Sequence, residues 1–237
     1  MDIILLCAGS LIAAVLAWLY LSVQEELKKP VGVGESDLPA DEAVAVPAGK
    51  LVQRPTGKRM LFLGLMFAVL CALSVVLVRV YESNTLIANG KLITLIAILF
   101  VAANIDARQK IIPNALVLAG LVLRIFFWIA ELISAPNAFW DIMKNDLAAC
   151  LLVVFFFVIG VLLVKGGIGM GDIKLMLVMC LFQGFYGVIS SLFCSLFAAF
   201  IYAIVVLLTR KKTRKDSVAF APAILVGTIL SVILTGM

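Results

Sequence analysis

Two aspartates stand at the lips of long apolar runs, Asp106 in "NIDARQKIIPN" and Asp172 in "GGIGMGDIKLM". The chain has no histidine, and its five cysteines, at 7, 71, 150, 180 and 194, lie singly in apolar surroundings without a CxxC pair. Imidazole is thereby removed as acid, base or ligand. The thiols read as buried apolar groups, not as a metal knuckle or disulfide framework, and no metal or other cofactor is expected. Any chemistry must come from other groups, and the two carboxylates are candidates. Two close carboxylates cannot both ionise cheaply, so they share a proton and titrate as a pair. The ionised member can take a proton from water while the protonated member polarises a peptide carbonyl, which cuts an amide without histidine, cysteine or metal.

Each segment also has a plainer reading. An aspartate at a helix start is a common cap, and a glycine-rich turn between helices is often only a turn. Asp106, followed by basic residues and "IPN", fits an interfacial anchor, with Pro113 in the first turn of the next helix where its missing N–H costs nothing. The paired reading gains only if both segments reach one face of the molecule.

That depends on the elements that carry them. With 64% hydrophobic residues and a mean hydropathy of +1.20, the chain is too apolar for one soluble core in a polar shell. Apolar runs near the length that spans a bilayer recur, and the alternation of barrel strands is absent, so the fold class expected is all-α: a polytopic integral membrane protein with about eight transmembrane helices. The spans fall near 3–22, 60–79, 91–105, 114–133, 147–164, 173–184, 188–208 and 218–236. The first begins after Met1 and Asp2 without a basic start or small-residue cleavage site and is expected to be retained. The sixth is short, since twelve residues at 1.5 Å rise reach only about 18 Å.

Charge decides whether it crosses. With an outside amino terminus, the inside connections hold Lys28, Lys29, Lys50, Arg54, Lys58, Arg59, Arg108, Lys110, Lys165, Lys174, Arg210, Lys211, Lys212, Arg214 and Lys215. The outside ones hold only Arg79, Lys91 and Lys144. This asymmetry is the one the positive-inside rule requires, and a single crossing over 173–208 would move "RKKTRK" outside. A hairpin turning near "QGFYG" is therefore expected. Arg124, alone in the middle of the fourth span, is expected to snorkel or to pair inside the bundle. The net charge of +5 is thus spent on membrane orientation, and no nucleic-acid partner is expected. Residues 24–59 form one long polar connection, rich in Pro, Gly, Ala and acidic residues, expected to be a flexible cytoplasmic loop. The organisation expected is residues 1–59 as a first transmembrane helix plus this loop, and residues 60–237 as a membrane-embedded core.

Under this topology Asp106 ends the third span and Asp172 starts the sixth, both on the inner side. Helix ends favour a carboxylate at Asp172 and disfavour one at Asp106, a bias that Arg108 and Lys110 oppose. Gly166, Gly167, Gly169 and Gly171 are expected to permit backbone angles closed to other residues and to leave room for an extended substrate strand.

"MGDIKLM" resembles the GxGD-h-K-L signature of the type IV prepilin peptidases and their preflagellin relatives, and "DARQKIIPN" resembles the D-x-R-x-x-x-I-P-N segment around their first aspartate. "VAFAPAILVG", at 218–227, is similar to the late proline-containing helix start of that family, and the resemblance covers about residues 91–237. It implies a multi-pass aspartyl peptidase of the cytoplasmic membrane that cuts the short basic leader from prepilin-like substrates at the cytoplasmic face. Asp106 and Asp172 would be the catalytic pair, with Gly169, Gly171, Lys174, Arg108, Pro113 and Asn114 as shaping or orienting residues. Members that also methylate the new amino terminus carry paired cysteines in the first cytoplasmic loop. This loop has none, so methyl transfer is not expected. Two other readings compete: a presenilin-like or signal-peptide-peptidase-like intramembrane protease, which also uses GxGD, and a non-enzymatic transporter or assembly factor in which Asp172 and the glycines line an ion path or helix contact.

Overall fold

A computed structural model of the chain describes residues 56–81, 84–163, 169–208 and 220–236. Six helices run in order: α1 (Thr56–Val80), α2 (Leu86–Gln109), α3 (Asn114–Ser134), α4 (Pro136–Leu163), α5 (Met170–Leu208) and α6 (Ala221–Thr235). No strand occurs among the described residues. Four helices carry stretches long and apolar enough to cross a membrane: Leu86–Arg108, Asn114–Ser134, Pro136–Gly160 and Met170–Val205. The apolar stretches Gly64–Val80 and Ala221–Thr235 are shorter. The span expected at 3–22, and the connection that follows it as far as residue 55, lie outside the described residues, so the expected total of about eight extends beyond them.

α4 begins at Pro136, well before the expected 147. The stretch "PNAFWDIMKND" is polar enough to fall outside an apolar window, yet Asp141 and Lys144 point outward within ion-pairing distance (3.5 Å), while Asp146 turns inward. One helix thus carries polar groups on two faces, which a sliding average of hydropathy does not register.

α5, at 39 residues, would reach about 58 Å if straight, nearly twice the hydrocarbon thickness. It is broken at Gly184, where φ is 67° and ψ −170°. Contacts with α6 give the direction of each arm. In the first arm Asp172 lines one cavity with Asp106, which accepts the N–H of Ala221 at the start of α6, and Met179 further along accepts from the Thr228 hydroxyl at 3.4 Å. In the second arm Ser190 meets Ser231 at 2.8 Å, and the Ser195 hydroxyl reaches the Ile224 carbonyl at 3.4 Å. The numbering along α6 therefore rises with the first arm and falls with the second, so the chain reverses at Gly184. This is the hairpin expected near "QGFYG". A Cβ at Gly184 would run into the Asn145 amide, and the Asn145 side-chain oxygen accepts the N–H of Phe185 at 3.4 Å, which ties the tip to α4.

The same contacts sort the helix ends. The end of α2 and the starts of α3, α5 and α6 share one end of the bundle. At the other end the Tyr81 hydroxyl donates to the Ile233 carbonyl and the Asn84 amide to that of Gly236, each at 2.8 Å. α2 is the central helix, two-thirds buried along its apolar stretch, where α3, α4 and α5 are mostly uncovered. Leu92, Leu95, Ile96, Leu99 and Ala102 fill the core from it, against α1, α3, α5 and α6.

Small residues let helices close up where lipid supplies no hydrophobic drive. A Cβ on Gly227 of α6 would collide with the Ser195 backbone, and one on Gly120 of α3 would lie 2.9 Å from a Val178 methyl. Arg124 pairs inside the bundle, one of its two expected fates. It is buried with Asp146 and Glu131, bonding the first closely and the second at 3.0 Å. Lys91 reaches Glu131 at 2.7 Å, and the Trp128 indole N–H donates to Asp146 at 3.0 Å. The guanidinium also lies over the rings of Trp128 and Phe182, at 5.3 and 5.9 Å. Two cations and two anions thus neutralise one another, as charge inside a membrane requires.

Candidate active site

Asp106 lies in the last turn of α2. That helix stops at Lys110, whose φ of 55° and ψ of 33° place it in the left-handed region, and whose N–H closes on the Asp106 carbonyl at 2.8 Å. The chain then extends through Pro113 (φ −69°, ψ 136°) into α3, which starts at Asn114. Proline fixes this exit, since its ring sets φ and the next helix needs no N–H there. Asp172 lies in the first turn of α5, its own N–H donating to the Gly169 carbonyl at 3.1 Å.

Both carboxylates, 66 positions apart, line one cavity of about 450 Å³ at the shared end of the bundle. The segment from Lys110 to Asn114 and the turn from Gly169 to Lys174 form its walls. The Lys174 ammonium donates to the Asn114 side-chain oxygen at 2.8 Å, joining the two walls. Of the residues singled out from sequence, Asp106, Asp172, Gly169, Gly171, Lys174, Pro113 and Asn114 come together here. Arg108, exposed on the last turn of α2, does not line the cavity.

The glycines act differently from the expectation. Gly166 and Gly167 lie outside the described residues. Gly169 and Gly171 are not in the left-handed region; among the described glycines only Gly184 and Gly236 have positive φ. What they supply is closeness. A Cβ on Gly171 would sit 3.2 Å from the Ile112 Cβ, and one on Gly169 would sit 3.0 Å from a carboxylate oxygen of Asp172. The turn is thereby laid directly against the "IIPN" wall, with the carboxylate folded back over it.

One contact was not anticipated. The N–H of Ala221, first residue of α6, donates to Oδ2 of Asp106 at 3.0 Å, and both residues are buried. On α2 alone Asp106 occupies the negative end of a helix, but α6 brings a positive end to it across 115 positions. The "FAPAI" start was visible as a helix signal; nothing in its composition names the residue it caps.

Two aspartates on separate helices, one in a GxGD turn and the other before an I-P-N exit, thus face one cavity. Residues 93–204 match the model of the type IV leader peptidase family. This is the family that the two motifs resemble, and the leader peptidase match contains both aspartates and the hairpin at Gly184. It ends before the "FAPAI" helix that bonds Asp106. A prepilin leader peptidase/N-methyltransferase of Bacillus subtilis (strain 168) is 28% identical over 139 residues, which are 59% of this chain and 53% of that protein. The chain thus spans about half the length of this curated relative. No solved structure matches it.

Proposed function

We propose that this chain is a membrane aspartyl endopeptidase that removes a short basic leader from prepilin-like precursors, with Asp106 and Asp172 activating the water. The observation that carries this reading is the meeting of the two aspartates in one cavity, which neither cap nor anchor requires. The leader peptidase match over residues 93–204 supplies the substrate class.

The chemistry follows from one shared proton. The ionised carboxylate takes a proton from water as its oxygen adds to the scissile carbonyl carbon, and the protonated carboxyl gives its proton to the carbonyl oxygen. The resulting diol collapses as the C–N bond breaks. The departing nitrogen takes the proton held by the first aspartate, and a diol hydroxyl returns one to the second. A carboxylic acid and an amine leave, and the pair is restored.

The cavity opens at the end of the bundle that carries Arg108, Lys110 and Lys174, whereas Arg79, Lys91 and Lys144 belong to the other end. By the positive-inside rule the first end faces the cytoplasm, where an untranslocated basic leader would be met. The organisation proposed remains a first membrane helix and cytoplasmic loop within residues 1–59, followed by the peptidase core. Methyl transfer is not part of the reading, because the loop at 24–59 lacks cysteine.

A substrate pair tests the assignment. Membranes containing the chain should cut a basic leader ahead of an apolar helix and leave the same helix without its leader intact. Cleavage confined to bonds inside the helix would instead indicate a presenilin-like protease, and cleavage of neither would point to a transport or assembly role.

A further inference from the structure

We propose that the backbone N–H of Ala221, at the amino end of α6, positions the carboxylate of Asp106 for its work on water, so that α6 is a positioning element of the site. This rests on the two-aspartate reading above.

The donors of the first turn of α6 are fully accounted for. Pro222 has none, and the N–H groups of Ala223 and Ile224 both go to the Phe220 carbonyl, at 3.0 and 3.1 Å. The Ala221 N–H is the one directed out of the helix, and Asp106 Oδ2 takes it at 3.0 Å. With Oδ2 tethered, Oδ1 is the oxygen left to meet water.

The donor is also held in place along the axis of α6. Gly227 seats against the Ser195 backbone so closely that a Cβ would collide with it, and the Ser231 hydroxyl donates to that of Ser190 at 2.8 Å. Ala221 is fully buried. Each aspartate thereby stands beside a helix amino end, by a different route. Asp172 stands in the first turn of its own helix, while Asp106, in the last turn of α2, borrows the first turn of another. A simple cap would serve α6; this arrangement also fixes the rotation of a carboxylate that lines the cavity with Asp172.

An ester in place of the amide separates positioning from capping in the full chain. Replacing Ala221 by lactic acid removes the N–H and also weakens the Phe220 carbonyl, which accepts from Ala223 and Ile224, so the ester is read against a background without the Asp106 carboxylate. The probe is a synthetic peptide with a basic leader, a glycine and an apolar helix. The ester should lower kcat by about 10- to 100-fold, the scale of a hydrogen bond to a charged group, with KM within about twofold. A second readout needs no activity: the fall in melting temperature caused by the ester should shrink in an Asp106→Ala background to the part that the weakened Phe220 carbonyl accounts for. Additive melting shifts, or an unchanged kcat in the ester, would overturn the inference. A wild-type chain inert toward the peptide counts against the proposed function and not against the bond, which the melting cycle decides by itself.

Discussion

Lys174 and Asn114, sixty positions apart, are joined by a hydrogen bond of 2.8 Å that ties the glycine turn to the I-P-N wall around the two aspartates. One partner belongs to each motif, so the bond links the elements that carry Asp106 and Asp172. Lys174→Met and Asn114→Leu should each reduce leader cleavage about tenfold, the effect of one hydrogen bond to a charged group at a half-exposed site. The double variant should be little worse than either single one, because both remove the same bond. Initial rates for the four proteins provide the check, and independent multiplicative losses would show that the two residues act separately.

Gly169→Ala should act on the carboxylate itself. Its Cβ would stand 3.0 Å from an oxygen of Asp172, which must give by a few tenths of an ångström. Reaction geometry tolerates little displacement, so a fall in kcat of about tenfold is expected without loss of the folded protein. Turnover measured beside a melting curve tests this; equal turnover would mean that Asp172 has room to spare.

The meeting of the two motifs at one face was legible in the sequence, because Asp106 ends one apolar run, Asp172 starts another, and basic residues give the runs their direction. The hairpin was legible for the same reason, since "RKKTRK" must return to the side that holds Lys174. Pairings across long separations were not. Nothing local to "FAPAI" points to Asp106, and the middle of α3 does not show that Arg124 will find Asp146, because hydropathy reports how apolar a stretch is and not which face its few polar groups occupy. The glycines show the opposite fault: Gly169 and Gly171 suggest unusual backbone angles, whereas the neighbours they admit come from another part of the chain.

The charge cluster should govern stability. Arg124→Met leaves Asp146 and Glu131 buried without their shared partner, and loss of one member of a buried pair costs about 3–5 kcal/mol. Thermal unfolding in detergent should show a large drop, and replacing Asp146 by leucine in the same chain should recover part of it. No drop would mean that water reaches the cluster and supplies new partners.

Gly184→Ala should weaken the hairpin. A φ of 67° with ψ of −170° is a region essentially confined to glycine and costs a residue with Cβ about 1–3 kcal/mol, and the added methyl meets Asn145. Adding Asn145→Ala should relieve the clash but not the backbone cost. Melting temperatures of the single and double variants separate the two contributions; a wild-type value for Gly184→Ala would mean that the tip relaxes freely.

The most direct measurement is the mass of the new amino terminus of a prepilin-type precursor incubated with membranes carrying the wild-type chain, Asp106→Asn or Asp172→Asn. The wild type should yield a product shortened by its leader and carrying no added methyl group, and each asparagine variant should yield none. Leader removal that persists at the wild-type rate in either variant would contradict the two-aspartate account.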